Sequence, residues 1–129
     1  DRILAVHDCG RPMNPLQIES HINGGIIQGI SYALYEDRIL DRKTGHMVNP
    51  NLEQYKIAGA RDVPPIEIHI IEEYTAMTST DALGIGEPPT IPTSAAIANA
   101  VYNAIGIRPA NAPMDNRTIL ELLGKKKRG

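Results

Sequence analysis

The sequence predicts an α+β fold in which short strands pack with a glycine-rich helix and two C-terminal helices. Three observations predict it. Ile18, Ile22, Ile26, Ile30 and Leu34 recur every four residues and draw one apolar stripe along a helix. Residues 66–70 alternate apolar and polar, the signature of a half-buried strand. Residues 92–105 are rich in alanine, the strongest helix former. With a short apolar run at the start and a further helical stretch near the end, the order is β-α-β-α-α, without an internal repeat, in one unit over 1–129.

In chain order, Ile3 to Val6 reads as a buried strand that leaves into a loop at His7-Asp8-Cys9-Gly10. Arg11 to Pro15 is turn chemistry. The first helix is expected over 16–36, where Gly24, Gly25 and Gly29 each cost about 1 kcal/mol relative to alanine. A helix that carries three glycines needs something close to its backbone. Thr44-Gly45 and Asn49-Pro50-Asn51 predict a turn or hairpin within 37–52. Pro64-Pro65 forces an extended entry into the strand Ile66 to Glu72, and 75–91 is expected as a long loop of the kind that often carries function. Pro92 suits the first turn of the second helix, Gly106 stops it, and Ile97, Ala98, Val101, Ala104 and Ile105 are its expected core face. A third helix is expected over 116–123, capped by Asp115 or Asn116.

Composition excludes several function classes. The 129 residues include no Trp and no Phe, so aliphatic side chains must fill the core. A net charge of -2 gives no field to attract nucleic acid or a membrane surface, and the basic run Lys125 to Arg128 reads as a solvated tail. One cysteine, Cys9, excludes an internal disulfide and an iron–sulfur cluster held by this chain alone. Cys9 itself reads as a small buried hydrophobe. No apolar run approaches the roughly 18 residues of a membrane span. The chain opens on Asp1, without Met and inside a strand, so it is expected to be a piece of a longer protein.

Chemistry concentrates in two places. In Gly84-Ile85-Gly86-Glu87-Pro88-Pro89, the glycines let backbone pass close to a bulky group and Pro88 biases Glu87 to an extended conformation. The second helix begins just beyond, and its N-terminus favours developing negative charge. Glu87 is thus a carboxylate on a stiff loop, as a general base requires, although a solvated glutamate in a turn has the same local pattern. On the first helix, His21 and Gln28 lie seven residues apart on one face, with Gly25 between them leaving room for a ligand or for another helix. The four histidines lack the paired spacing of common zinc sites, and Thr93 and Ser94 lack a nucleophile-elbow context.

These segments together resemble the large, molybdopterin-binding subunit of the xanthine dehydrogenase and aldehyde oxidase family, specifically its C-terminal part. Asp8 to Pro15 is similar to the D-x-G-x-x-x-N-P strand-loop of that family, Ile22 to Gly29 to its glycine-rich helix, and Asn51 to Ile57 to its N-x-x-x-Y-K-I segment. Pro64 to Glu72 resembles a P-x-I-E-x-x-x-x-E strand, Gly84 to Pro89 the active-site loop, and Ala95 to Gly106 the helix that follows it. The likeness runs through nearly the whole chain in one order. It implies a fragment of a molybdopterin-binding domain and oxidation of an aldehyde or N-heterocycle with water-derived oxygen. Glu87 would be the general base, and His21, Gln28 and Gly86 would face the cofactor.

The resemblance further implies molybdopterin with molybdenum, for which separate subunits suggest the cytosine dinucleotide form, with 2Fe-2S and FAD on partner subunits. The partners would be the remainder of the large subunit, an iron–sulfur subunit, an FAD subunit and a small-molecule substrate, in the cytoplasm. Two stretches depart from the family pattern. Its helix usually begins G-Q-x-E-G, with the Gln facing molybdenum, where this chain has Ser20-His21-Ile22-Asn23-Gly24. Its usual G-A-K-G reads Asp81-Ala82-Leu83-Gly84. A domain kept for structure or assembly, and a module binding a small anion at the second helix, are the alternatives.

Overall fold

The computed structural model describes residues 2–73 and 78–126, in the order β1 (Ile3–Asp8), α1 (Pro15–Leu34), β2 (Ile66–Ile71), α2 (Thr93–Ile105) and α3 (Asn116–Lys126). β1 and β2 pair in parallel, with Ile3 opposite Ile66 and Asp8 opposite Ile71. Parallel neighbours cannot be joined by a tight turn, and α1 lies in the crossover between them.

The helix starts where its chemistry dictates. Asn14 caps it by accepting from the Gln17 amide at 3.2 Å, and Pro15 occupies the first turn, where a missing N–H removes no bond. The isoleucine stripe then lies on the sheet. Ile22, Ile26 and Ile30 are fully buried and form the core with Ala5, packed around by Ile3, Ile18, Leu34, Ile66, Ile68 and Ile97.

β1 corrects one expectation. It is one-sided rather than buried: Leu4 and Val6 remain 56% and 53% exposed, while Ala5 faces the core. Four apolar residues in a row hide the alternation, because both faces carry aliphatic side chains. β2 alternates as expected. α2 corrects another. Ile97, Ala98, Val101 and Ile105 are only half-buried, Ala104 is exposed, and Thr93 is its one buried residue. The helix does end at Gly106, whose amide donates to the Tyr102 carbonyl.

Within 37–52, Leu40 and Met47 form an antiparallel bridge, and the Asp41 carboxylate accepts from the Lys43 and Thr44 amides at the turn. Those backbone bonds hold the Asp41 carboxyl below its ordinary pKa. Asn49 is buried there, bridging the Ile39 amide and the Asp37 carbonyl. Asp115 caps α3 through the Thr118 amide at 2.8 Å. Lys127 and Arg128 of the basic run fall outside the described residues, as do positions 74–77. Among the described residues no helix is long and apolar enough to cross a membrane.

Candidate functional site

A cleft of about 810 Å³ opens between the exposed flank of α1 and the loop that follows β2. From α1 and the turn before it, Arg11, Asn14, Gln17, His21, Gly24 and Gln28 line the cleft, and Leu83, Ile85 and Gly86 close it from the loop. Among the described residues no carboxylate lines it. One guanidinium and three side-chain amides suit an anionic, hydrogen-bond-rich occupant. Asn14, Gln17, His21 and Gln28 repeat at helical spacing on the flank away from the isoleucines. Sequence reasoning singled out only the last two; the i, i+3, i+7 spacing of polar residues opposite an apolar stripe was the available signal for the others.

The loop is pinned at its start. Leu83 donates to the Cys9 carbonyl at 2.8 Å, Arg11 donates to the Asp81 carbonyl at 2.8 Å, and Gly10 and Ala82 form an antiparallel bridge. Asp81 sits at φ +56°, the left-handed region that glycine adopts without strain, and its Oδ1 is buried with no hydrogen-bond partner among the described residues. This is the position at which the departure from G-A-K-G replaces a glycine. Cys9 is buried as expected, and burial, then the nearby Asp8 charge, pushes its thiol pKa up, which leaves it a poor nucleophile.

Further on, the Thr90 amide donates to the Glu87 carbonyl at 2.9 Å, closing a turn around Pro88 and Pro89. The Thr93 hydroxyl then donates back to the Pro89 carbonyl at 2.9 Å as α2 begins. This turn lies against α1 through missing side chains. A Cβ on Gly25 would stand 2.7 Å from Pro89 Cβ, and one on Gly29 2.5 Å from Thr93 Cβ, both closer than carbon atoms approach. The loop takes the space that a side chain at Gly25 would fill, and the Gly25 backbone still lines the cleft. Among the described residues nothing lies within 4 Å of a Cβ on Gly24, which is an open position in the cleft wall.

The candidate residues fall unevenly. His21 and Gln28 both line the cleft. His21 Nε2 lies 2.7 Å from the Gly86 carbonyl oxygen, and the Gln28 amide donates to the Tyr32 hydroxyl. Gly86 lines the cleft; Glu87, the next residue, is not among the lining residues and is exposed, its carboxylate making no hydrogen bond with the described residues. Among the described residues no three His, Cys, Asp or Glu side chains group to hold a metal ion.

Comparison with known proteins gives consistent findings. A sequence model described as a molybdopterin cofactor-binding domain matches residues 1–64. The chain is 40% identical over 121 residues to a putative xanthine dehydrogenase molybdenum-binding subunit of Escherichia coli K12, covering 94% of this chain and 16% of that one. It is 36% identical over 123 residues to the aldehyde oxidoreductase molybdenum-binding subunit of the same organism, covering 95% and 17%. The crystal structure of quinoline 2-oxidoreductase from Pseudomonas putida 86 superposes with a TM-score of 0.86 at 31% identity, over 95% of this chain and 16% of that one. The chain thus spans about a sixth of the length of these relatives.

Proposed function

The chain belongs to the molybdopterin-binding large subunits of the xanthine dehydrogenase and aldehyde oxidoreductase type, and from that premise we propose that it supplies one wall of the cofactor cleft and the general base of such an oxidoreductase. What supports this reading is the position of Glu87 in the chain: it directly follows Gly86, which lines the cleft, on a loop fastened to β1's exit and to α1. A base must be held within hydrogen-bond reach of its proton, and a carboxylate on a pinned loop meets that need better than one on a mobile loop.

The cleft's open backbone and its donors suit a molybdenum–pterin group. Gly24 and Gly86 have nothing within 4 Å of a Cβ, so a large planar group approaches their backbone unhindered. Asn14, Gln17 and Gln28 offer amide donors and Arg11 a cation toward an anionic tail, for which the cytosine dinucleotide form is the expected partner. When bound, that group supplies the two-electron acceptor of the oxidation.

Around it, the substrate is an aldehyde or N-heterocycle whose C–H bond gives way to a C–O bond with oxygen from water. Glu87 takes the proton of that oxygen on a carboxylate oxygen as the C–O bond forms. Partner subunits in the cytoplasm would hold the 2Fe-2S and FAD groups that take up the two electrons, and the rest of the large subunit would complete the substrate pocket.

The test uses the intact parent protein. Glu87→Gln is expected to retain bound molybdenum and to oxidise substrate at least about a hundredfold more slowly, in keeping with the usual worth of a general base. Full activity with full metal content would leave this unit a structural role in the cleft wall.

A further inference from the structure

α1 presents His21, Gly25 and Gly29 four residues apart on one stripe, and the loop meets them in the same order: Gly86, then Pro89 and Thr90, then Thr93. Ser94 closes the seam by donating its hydroxyl to the Gly29 carbonyl at 3.2 Å. The two glycine contacts are steric; they set how close the loop lies but not how its peptides turn. The contact at the Glu87 end is directional. A carbonyl oxygen only accepts, so at 2.7 Å the His21 Nε2 must carry the proton, as it does in one neutral tautomer and in the imidazolium.

Glu87 has no side-chain bond of its own among the described residues, so its direction depends on the peptides that flank it. Thr90 holds the carbonyl after it at 2.9 Å, and Pro88 narrows its own backbone range. The peptide before it follows Gly86, and neither Gly84 nor Gly86 has anything within 4 Å of a Cβ to resist rotation. The bond to His21 is the one hydrogen bond to that peptide among the described residues.

We propose that His21 is a positioning residue for Glu87, tying the Gly86 carbonyl to α1 so that the carboxylate leaves the loop in one direction. This rests on Glu87 being the base. It also assigns the imidazole a task on the protein itself, where the resemblance implied a contact with the cofactor.

The experiment compares His21→Phe, which fills similar space without a donor, with His21→Gln, which restores an amide donor, in the intact molybdenum-loaded enzyme. Hydrogen–deuterium exchange of the 84–90 segment and turnover per bound molybdenum are the two readouts. His21→Phe is expected to speed exchange there about tenfold, the effect of one lost hydrogen bond. It should lower kcat by about ten- to a hundredfold with KM nearly unchanged, as a misplaced catalytic group does. His21→Gln should return both toward the parent. Unchanged exchange in His21→Phe, a loosened loop with unchanged kcat, or no recovery in His21→Gln would each overturn the proposal. Failure of the base reading is separately visible as full activity in Glu87→Gln; the positioning role then falls, and the exchange data still decide whether the tether exists.

Discussion

The two flanks of α1 hold the molecule together by different means. One flank sets Ile22, Ile26 and Ile30 into the core against β1 and β2, where area removed from water supplies the energy. The other carries His21, Gly25 and Gly29, and there the absence of side chains lets the 86–94 segment lie against the helix backbone. The first flank needs volume and tolerates many ways of providing it; the second needs empty space at two points and one donor. A single helix thereby couples a generic core to a specific loop, so the position of Glu87 is referenced to the most buried part of the fold.

Three substitutions sharpen the contrast. Ile26→Ala should destabilise most, by about 3 kcal/mol, because a fully buried side chain leaves a cavity that the rigid sheet cannot close. The urea midpoint of the intact subunit reads it, and an effect below about 1 kcal/mol would mean that the core is looser than its burial shows. Gly29→Ala should come next, at about 1–2 kcal/mol net. The added methyl meets Thr93 Cβ at 2.5 Å, and overpacking of that kind outweighs the roughly 1 kcal/mol of helix propensity gained. Turnover should fall with it, because the seam that carries Glu87 is pushed off the helix.

Gly24→Ala is the smallest in stability and opposite in sign. Nothing lies within 4 Å of its Cβ, so it should stabilise by up to about 1 kcal/mol. Its methyl would project into the cleft wall, so retention of molybdenum should decline even as the unfolding midpoint rises. Equal behaviour of the Gly24 and Gly29 variants would erase the distinction between a glycine kept for the loop and one kept open to the cleft.

Much of the fold was legible in the sequence because the signals are local. The four-residue isoleucine spacing gave α1, the 66–70 alternation gave β2, and Asp115 and Gly106 marked helix ends through their own backbone chemistry. The one-sided exposure of β1 was not legible, because Leu4 and Val6 are as apolar as Ile3 and Ala5 and only a neighbour decides which pair is covered. The buried Asn49 was missed for a similar reason: its partners at Ile39 and Asp37 come from the far side of a turn. At Asp81, the sequence shows a departure from a glycine, and the left-handed φ supplies the reason that a glycine suits the position.

The sequence by itself determined the kinds of element and their order, because periodicity, capping and turn preference act over a few residues. Tertiary structure decided what each glycine of α1 is for and where His21 spends its proton. Those outcomes depend on segments some 65 positions apart meeting at van der Waals distance, and no local pattern encodes which atoms arrive there.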